Sequence, residues 1–297
     1  MKTQPLLILF LLFAFNCCNS VTETERESGF ADVNGTKLWY EVAGMGEPIL
    51  FIHGNFGDLR HWDFQVESLS ELYKVIRFDV RGYGKSALPD TGQSYRDCDD
   101  IKALMDYLEI DKANICGVSM GSGIAVDFAL AYPDRCISLI PIGPWANGTG
   151  IGKYTTTATD SMFTVFGETL KLLRSDGPKA ATDYWWMGNH EIKRTVQEER
   201  TLDSLLIMGY QYSWWGFLNP NKRMVHSTMG ITELSSITLP TLIVTAEFDI
   251  EACKEVADLM QQQIANSKLI SIEGAGHLMN MDNPTEFNRI IHEFVGN

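Results

Sequence analysis

From Thr36 to the end of the chain, short apolar runs alternate with stretches whose apolar residues recur at three- and four-residue steps. The runs at 37–42, 48–53, 74–79, 113–118, 136–142, 241–245 and 268–272 predict strands. Apart from the first, they are apolar almost throughout, as expected of strands covered on both faces rather than on one. The stretch 99–109 carries Ile101, Leu104, Met105 and Leu108 on one helical face, and helices are likewise predicted at 120–132, 251–264 and 284–295. This alternation predicts an α/β fold, a mostly parallel sheet with helices on both faces.

The rhythm lapses between 145 and 236, where helical, aromatic sequence carries little strand signal, and it resumes at Leu239-Pro240. That interval reads as a helical cap inserted between two parts of one core, 35–144 and 237–297. Its clusters Tyr184-Trp185-Trp186 and Tyr210-Gln211-Tyr212-Ser213-Trp214-Trp215 suit either a small packed helical layer or the wall of an apolar pocket.

Composition adds exclusions. With 45% hydrophobic and 21% charged residues among 297, the chain is ordinary for a globular protein, and its formal charge of −14 includes no basic cluster that would hold a phosphate backbone. Nucleic acid is therefore not an expected partner. Residues 1–20 place Lys2 ahead of a ten-residue apolar run, Leu6 to Phe15. A spanning helix needs roughly 20 apolar residues, so the segment reads as an export signal, with a buried N-terminal helix as the alternative. Cys17 and Cys18 stand where a bacterial lipoprotein carries its lipidated cysteine, although the bulky Phe15 and Asn16 precede them. Ordinary secretion and lipid anchoring both remain open, and 21–34 reads as a polar tether. The expected location is thus periplasmic, extracellular or lipid-anchored, with membrane attachment only through that lipid.

Four cysteines remain beyond the signal, Cys98, Cys116, Cys136 and Cys253, with no C-x-x-C pair and hence no suggested metal or redox site. Cys116 and Cys136 lie in or beside strand-like runs, as buried thiols do. Asn34-Gly35-Thr36 and Asn147-Gly148-Thr149 are formal glycosylation sequons.

Candidate chemistry starts at Gly117-Val118-Ser119-Met120-Gly121, which fits G-x-S-x-G at the junction of a predicted strand and helix. A serine hydroxyl needs a base, and the base needs a carboxylate to orient it. Both should stand at strand ends on the edge that carries Ser119. Asp249 follows the strand in TLIVTAEFD, and His277 follows KLISI in the loop Glu273-Gly274-Ala275-Gly276-His277. Glu247 is the rival acid, two residues nearer the strand. The oxyanion formed in acyl transfer needs N–H donors, and Met120 directly after the serine supplies one. Asn55, in His53-Gly54-Asn55-Phe56-Gly57, is the candidate for the other. His53 reads as a brace for that loop. His61, His190, His226 and His292 read as surface or packing residues.

Together, HGN at 53–55, Asp79-Val80-Arg81-Gly82-Tyr83-Gly84-Lys85-Ser86, GVSMG at 117–121, Asp249 and GAGH at 274–277 make the chain resemble an α/β-hydrolase from about Gly35 to the C-terminus, the cap excepted. The D-x-R-G-x-G-x-S stretch is similar to that of the esterase, perhydrolase and lactonase branch, where it is a structural turn beside the site. Haloalkane dehalogenases and epoxide hydrolases carry an aspartate where this chain has Ser119. Ser122 departs from a second glycine often found after the motif. The resemblance implies a serine hydrolase that cleaves a small ester or related acyl compound, without metal or organic cofactor, through Ser119, His277 and Asp249, with the Asn55 and Met120 amides as oxyanion donors. The alternatives are a proline-iminopeptidase-like amidase, a lactonase or a perhydrolase with the same triad, and, from another class, a binding protein on a hydrolase scaffold. An acidic cap residue that holds a substrate amine would favour the peptidase, and Glu191, Glu198 and Glu199 are available.

Overall fold

The structure is a computed structural model that describes residues 26–90, 92–145, 156–220, 222–224 and 230–296. Eight strands form the main sheet: β1 (Arg26–Val33), β2 (Thr36–Ala43), β3 (Pro48–Ile52), β4 (Lys74–Phe78), β6 (Ala113–Val118), β7 (Cys136–Ile142), β9 (Thr241–Phe248) and β10 (Ser267–Gly276). Their order is β1-β2-β4-β3-β6-β7-β9-β10. The two-residue strands β5 (Tyr95–Arg96) and β8 (Arg223–Met224) pair separately. β2 alone runs against the rest, pairing antiparallel with β1 and β4, so along the sheet from β4 to β10 every carboxyl end faces one edge. Every residue of β6 is buried, which accounts for a sequence that is apolar but for Asn114, whose side chain is hydrogen-bonded to Glu47, Pro48 and Ser138.

Helices cover both faces. The core ones are α1 (Asp63–Leu69), α2 (Asp97–Tyr107) and α3 (Met120–Ala131); α4 (Thr157–Ser175), α5 (Pro178–Asp183), α6 (His190–Lys193), α7 (Glu199–Gln211) and α8 (Trp215–Leu218) fall between β7 and β9; α9 (Glu251–Gln263), α10 (Met279–Asp282) and α11 (Pro284–Val295) end the chain. No helix among the described residues is long and apolar enough to cross a membrane.

The second half of the expected tether, residues 26–33, is not a tether but the edge strand β1, paired along its length with β2. One face of an edge strand meets water, so its polar sequence RESGFADV conceals it, yet Ala31 is fully buried beneath it. Asn34-Gly35 makes the hairpin turn, with φ of 46° and 69°, a conformation these two residue types tolerate best. The Asn34 side chain is occupied: its Nδ2 donates to Asp100 Oδ1 at 2.6 Å, and Arg81 bridges the Asn34 carbonyl and the Asp100 carboxylate. The second sequon, at Asn147, lies outside the described residues.

The 79–86 stretch is a rigid turn. Asp79 accepts the N–H groups of Leu59 and Lys85, and Ser86 Oγ donates to the Asp79 carbonyl. A Cβ on Gly84, where φ is 50°, would stand 2.2 Å from the Asp79 carboxylate. Burial raises the Asp79 pKa to about 7 against the pull of the two backbone hydrogen bonds.

Candidate active site

The sheet order reverses direction between β3 and β6, and in open α/β sheets ligands bind at such a reversal, beyond the carboxyl ends of the strands. The loops after β3 and β6 carry Asn55 and Ser119.

Ser119 sits between β6 and α3 at φ 55° and ψ −116°, backbone that costs a residue with a Cβ and that persists only where its surroundings impose it. Its N–H donates to the Ile142 carbonyl at 2.8 Å. The flanking glycines are required sterically. A Cβ on Gly117 would lie 2.1 Å from the Gly121 carbonyl oxygen, and one on Gly121 would lie 2.3 Å from that of Ile52. Ser122 proves to be a brace, its Oγ donating to the Ser119 carbonyl and accepting the Trp145 N–H, both at 2.7 Å.

His277 and Asp249 meet across the β9–β10 end of the edge. His277 Nδ1 donates to Asp249 Oδ1 at 2.6 Å, and Asp249 is wholly buried. The carboxylate also accepts the Ile250 N–H at 2.7 Å and the Thr245 hydroxyl at 2.9 Å, which fixes its plane. Glu247 is exposed and accepts the Gly274 N–H instead, so it shapes the loop before the histidine. Gly143 gives His277 room: a Cβ there would come within 2.9 Å of the imidazole.

Asn55 and Met120 border the same space. Asn55 Oδ1 accepts the Tyr83 hydroxyl at 2.7 Å and the Phe56 N–H at 3.2 Å, and Tyr83 stacks on Tyr212 with ring centroids 4.6 Å apart. His53 is fully buried, donating from Nδ1 to the Gly54 carbonyl and accepting the Val80 N–H at Nε2, which matches its reading as a brace.

Ser119, Asn55, Met120 and His277 share a cavity of about 180 Å³, roofed by Met162, Phe166, Trp185, Trp186 and Ile192. Trp185 and Trp186 lie in one turn of π-helix, Tyr184–Gly188, of the kind that often marks functional positions. Trp185 packs 4.4 Å from Phe56 and 4.9 Å from Phe166, centroid to centroid. No charged carboxylate, lysine or arginine lines the cavity among the described residues. Glu191, Glu198 and Glu199 are exposed, and Glu191 accepts the Ser161 hydroxyl.

Three features escaped the sequence reading. His61 lines the cavity and is 1% exposed. Its Nδ1 accepts the Gly54 N–H at 3.1 Å, which leaves the proton on Nε2, an atom without a hydrogen-bond partner among the described residues. Burial, then the neighbouring His53, pushes its pKa down to about 3. Cys253, one turn into the chain after Asp249, also lines the cavity, and burial holds its thiol pKa well above the ordinary value. All four cysteines of the described residues are free and buried. Thirdly, the strand-end loop is tied to the helices above it. The His277 N–H donates to the Thr195 carbonyl at 2.8 Å, while Asp282 accepts the N–H groups of Gly276 at 2.9 Å and Gln197 at 3.2 Å. His190 and His292 are exposed, and His292 Nδ1 meets the Tyr73 hydroxyl; His226 lies outside the described residues.

This fold and edge are those of an enzyme class. Residues 47–284 match the family model of the alpha/beta hydrolase fold, and the chain belongs to that family. It is an α/β-hydrolase. It is 25% identical over 264 residues to 3-oxoadipate enol-lactonase 1 of Acinetobacter baylyi, covering 88% of this chain and 94% of the relative. It is 24% identical over 272 residues to a putative 2-succinyl-6-hydroxy-2,4-cyclohexadiene-1-carboxylate synthase of Bacillus subtilis, covering 86% and 94%. Among solved structures it is similar to Est816, described as an N-acyl homoserine lactone degrading enzyme, with 26% identity and a TM-score of 0.71 over 90% of this chain and all of that one.

Proposed function

We propose that the protein is a serine hydrolase of small, uncharged esters or related acyl compounds, acting through Ser119, His277 and Asp249. The observation that carries this reading is the strained Ser119 at the sheet reversal, in one cavity with a histidine whose far nitrogen is hydrogen-bonded to a buried aspartate. The Ser119 hydroxyl attacks the acyl carbonyl as its proton passes to His277 Nε2, and Asp249 holds the imidazole in that tautomer and stabilises the imidazolium. The N–H groups of Asn55 and Met120 receive the oxyanion; loss of one such donor generally costs about 2.7–4 kcal/mol. The imidazolium then protonates the leaving alkoxide, and a water deprotonated by His277 releases the acid and restores Ser119.

The described lining supports an uncharged, apolar acyl group, since it holds no charged partner for a substrate carboxylate or amine. The same feature speaks against the aminopeptidase alternative. A lactone is the second substrate form, favoured by the enol-lactonase and homoserine-lactone relatives. A fluorophosphonate probe tests the reading. Wild-type chain should be labelled, and Ser119→Ala and His277→Ala should not. A folded wild-type chain that stays unlabelled would instead favour the binding-protein alternative. We further propose that 145–236 acts as a substrate-selecting cap. Export on residues 1–20 is part of the same reading, tested by the mass of the mature chain, which also reports lipid at Cys17 or Cys18.

A further inference from the structure

We propose that Cys253, Asp249 and His277 together bind a soft divalent cation, Zn²⁺ or Cd²⁺, and that its occupancy switches the hydrolase off. The inference rests on the reading of His277 as the base. Among the described residues these three form one cluster in which a thiol sulfur, a carboxylate oxygen and an imidazole nitrogen all lie within 4.8 Å of one another. All three are buried, and Cys253 and His277 line the cavity, so a cation arrives by the route a substrate uses.

The donor set selects the ion. Sulfur, nitrogen and a single carboxylate suit zinc or cadmium, whereas calcium and magnesium take shells of oxygen. Metal–ligand bonds of about 2.0–2.3 Å in a tetrahedron place neighbouring donors about 3.6 Å apart, so side-chain rotation has to open the His277–Asp249 pair from its 2.6 Å hydrogen bond and keep the Cys253 sulfur, within 4.8 Å of both, at the third corner. The chain makes this reachable. Asp249 and Cys253 are four residues apart, with Cys253 held in the first turn of α9 by its N–H to the Ile250 carbonyl at 2.9 Å. Asp249 Oδ2 accepts the Thr245 hydroxyl and retains a lone pair for a cation.

Binding consumes no oxidant or reductant. The Cys253 thiol releases its proton to solvent and ligates as thiolate. The His277 proton moves from Nδ1 to Nε2, which frees the Nδ1 lone pair for the metal. One proton leaves per ion bound. The imidazole nitrogen that must accept the Ser119 proton is then already protonated, and Asp249 orients the cation instead of the histidine.

Cadmium titration of the full chain tests this, read by the ultraviolet charge-transfer absorbance of a thiolate–cadmium bond in parallel with fluorophosphonate labelling. The difference between wild type and Cys253→Ala isolates this thiol from the other cysteines. Cys253→Ser keeps the shape while offering a poor ligand for a soft ion, and each variant is scored against its own metal-free labelling. The expected result is one charge-transfer event per chain that is present in wild type and absent from Cys253→Ala, labelling that falls in step with it and returns on addition of a chelator, and a cadmium concentration for half-loss at least tenfold higher in both variants. Equal absorbance and equal half-loss in wild type and Cys253→Ala would overturn the proposal. So would a Cys253-dependent absorbance that leaves labelling intact. A wild-type chain unlabelled before any metal is added fails as a serine hydrolase, and the absorbance then still reports whether the cation site exists.

Discussion

The sheet edge below the cavity and the helices above it build their halves by different means. Below, position is set by backbone: Ser119 held at positive φ, glycines with no room for a Cβ, and an aspartate fixed by a backbone amide and a hydroxyl. Above, position is set by side-chain packing, with Trp185, Phe166, Phe56 and Phe217 in contact ring to ring. Backbone turns of the first kind have one geometry and tolerate almost no substitution. Aromatic layers can repack. The lower half therefore suits chemistry, and the upper half suits selection among substrates.

The difference can be attacked from both sides. Asp249→Asn should leave the fold in place and lower kcat by about 10⁴ on any ester the wild type cleaves, because the imidazole loses its tautomer; steady-state rates measure this. Gly276→Ala strikes where the halves touch, since its Cβ would stand 1.9 Å from the Thr195 carbonyl oxygen. Neither backbone can yield cheaply, and denaturant unfolding should report a loss of about 3 kcal/mol. Trp185→Leu should cost about 2 kcal/mol but widen the cavity, so that the longest acyl chain accepted increases while the labelling of Ser119 persists. If chain-length preference does not move, the helices do not select.

His61→Gln tests the buried base beneath the loop. The folded pKa of about 3 lies below the unfolded value of 6.5, so the unfolded chain binds the extra proton, and stability falls as pH drops from 6.5 towards 3. Between pH 7 and pH 5 the wild type should lose about 2 kcal/mol more than the variant, by unfolding at the two pH values. Asp79 contributes with the opposite sign in both proteins: its raised pKa stabilises at low pH, and that contribution fades as pH rises towards 7. Glu247→Gln should change kcat by less than about twofold, since its side chain is exposed and accepts a backbone N–H of the loop, that of Gly274.

Much of the sheet edge was legible because it depends on local rules. β6 and β7 have the bounds their apolar runs predict, as does α11, and strand-end logic brought Asp249 and His277 to one edge. β1 was missed because an edge strand is half solvated and looks like a tether, although Asn34-Gly35 before an alternating run was the available hairpin signal. His61 left no periodic trace, since it sits in a single helical turn whose short loop brings its ring back to the Gly54 amide. Cys253 did leave one: four residues beyond a strand-end aspartate, it occupies the first turn of a helix facing the same space. The roof was legible only as an abundance of aromatics, because which ring meets which depends on tertiary packing that no spacing encodes.

The hydrogen bond from the His277 amide to the Thr195 carbonyl, with Asp282 clasping Gly276 and Gln197 alongside it, bears on how molecules get in and out. A roof fastened to the backbone of His277 cannot swing away as a lid at that corner without displacing that histidine. In the proposed hydrolase, substrate would then pass elsewhere, between side chains that move on a rotamer timescale, and small, fast openings would leave the reactive geometry assembled.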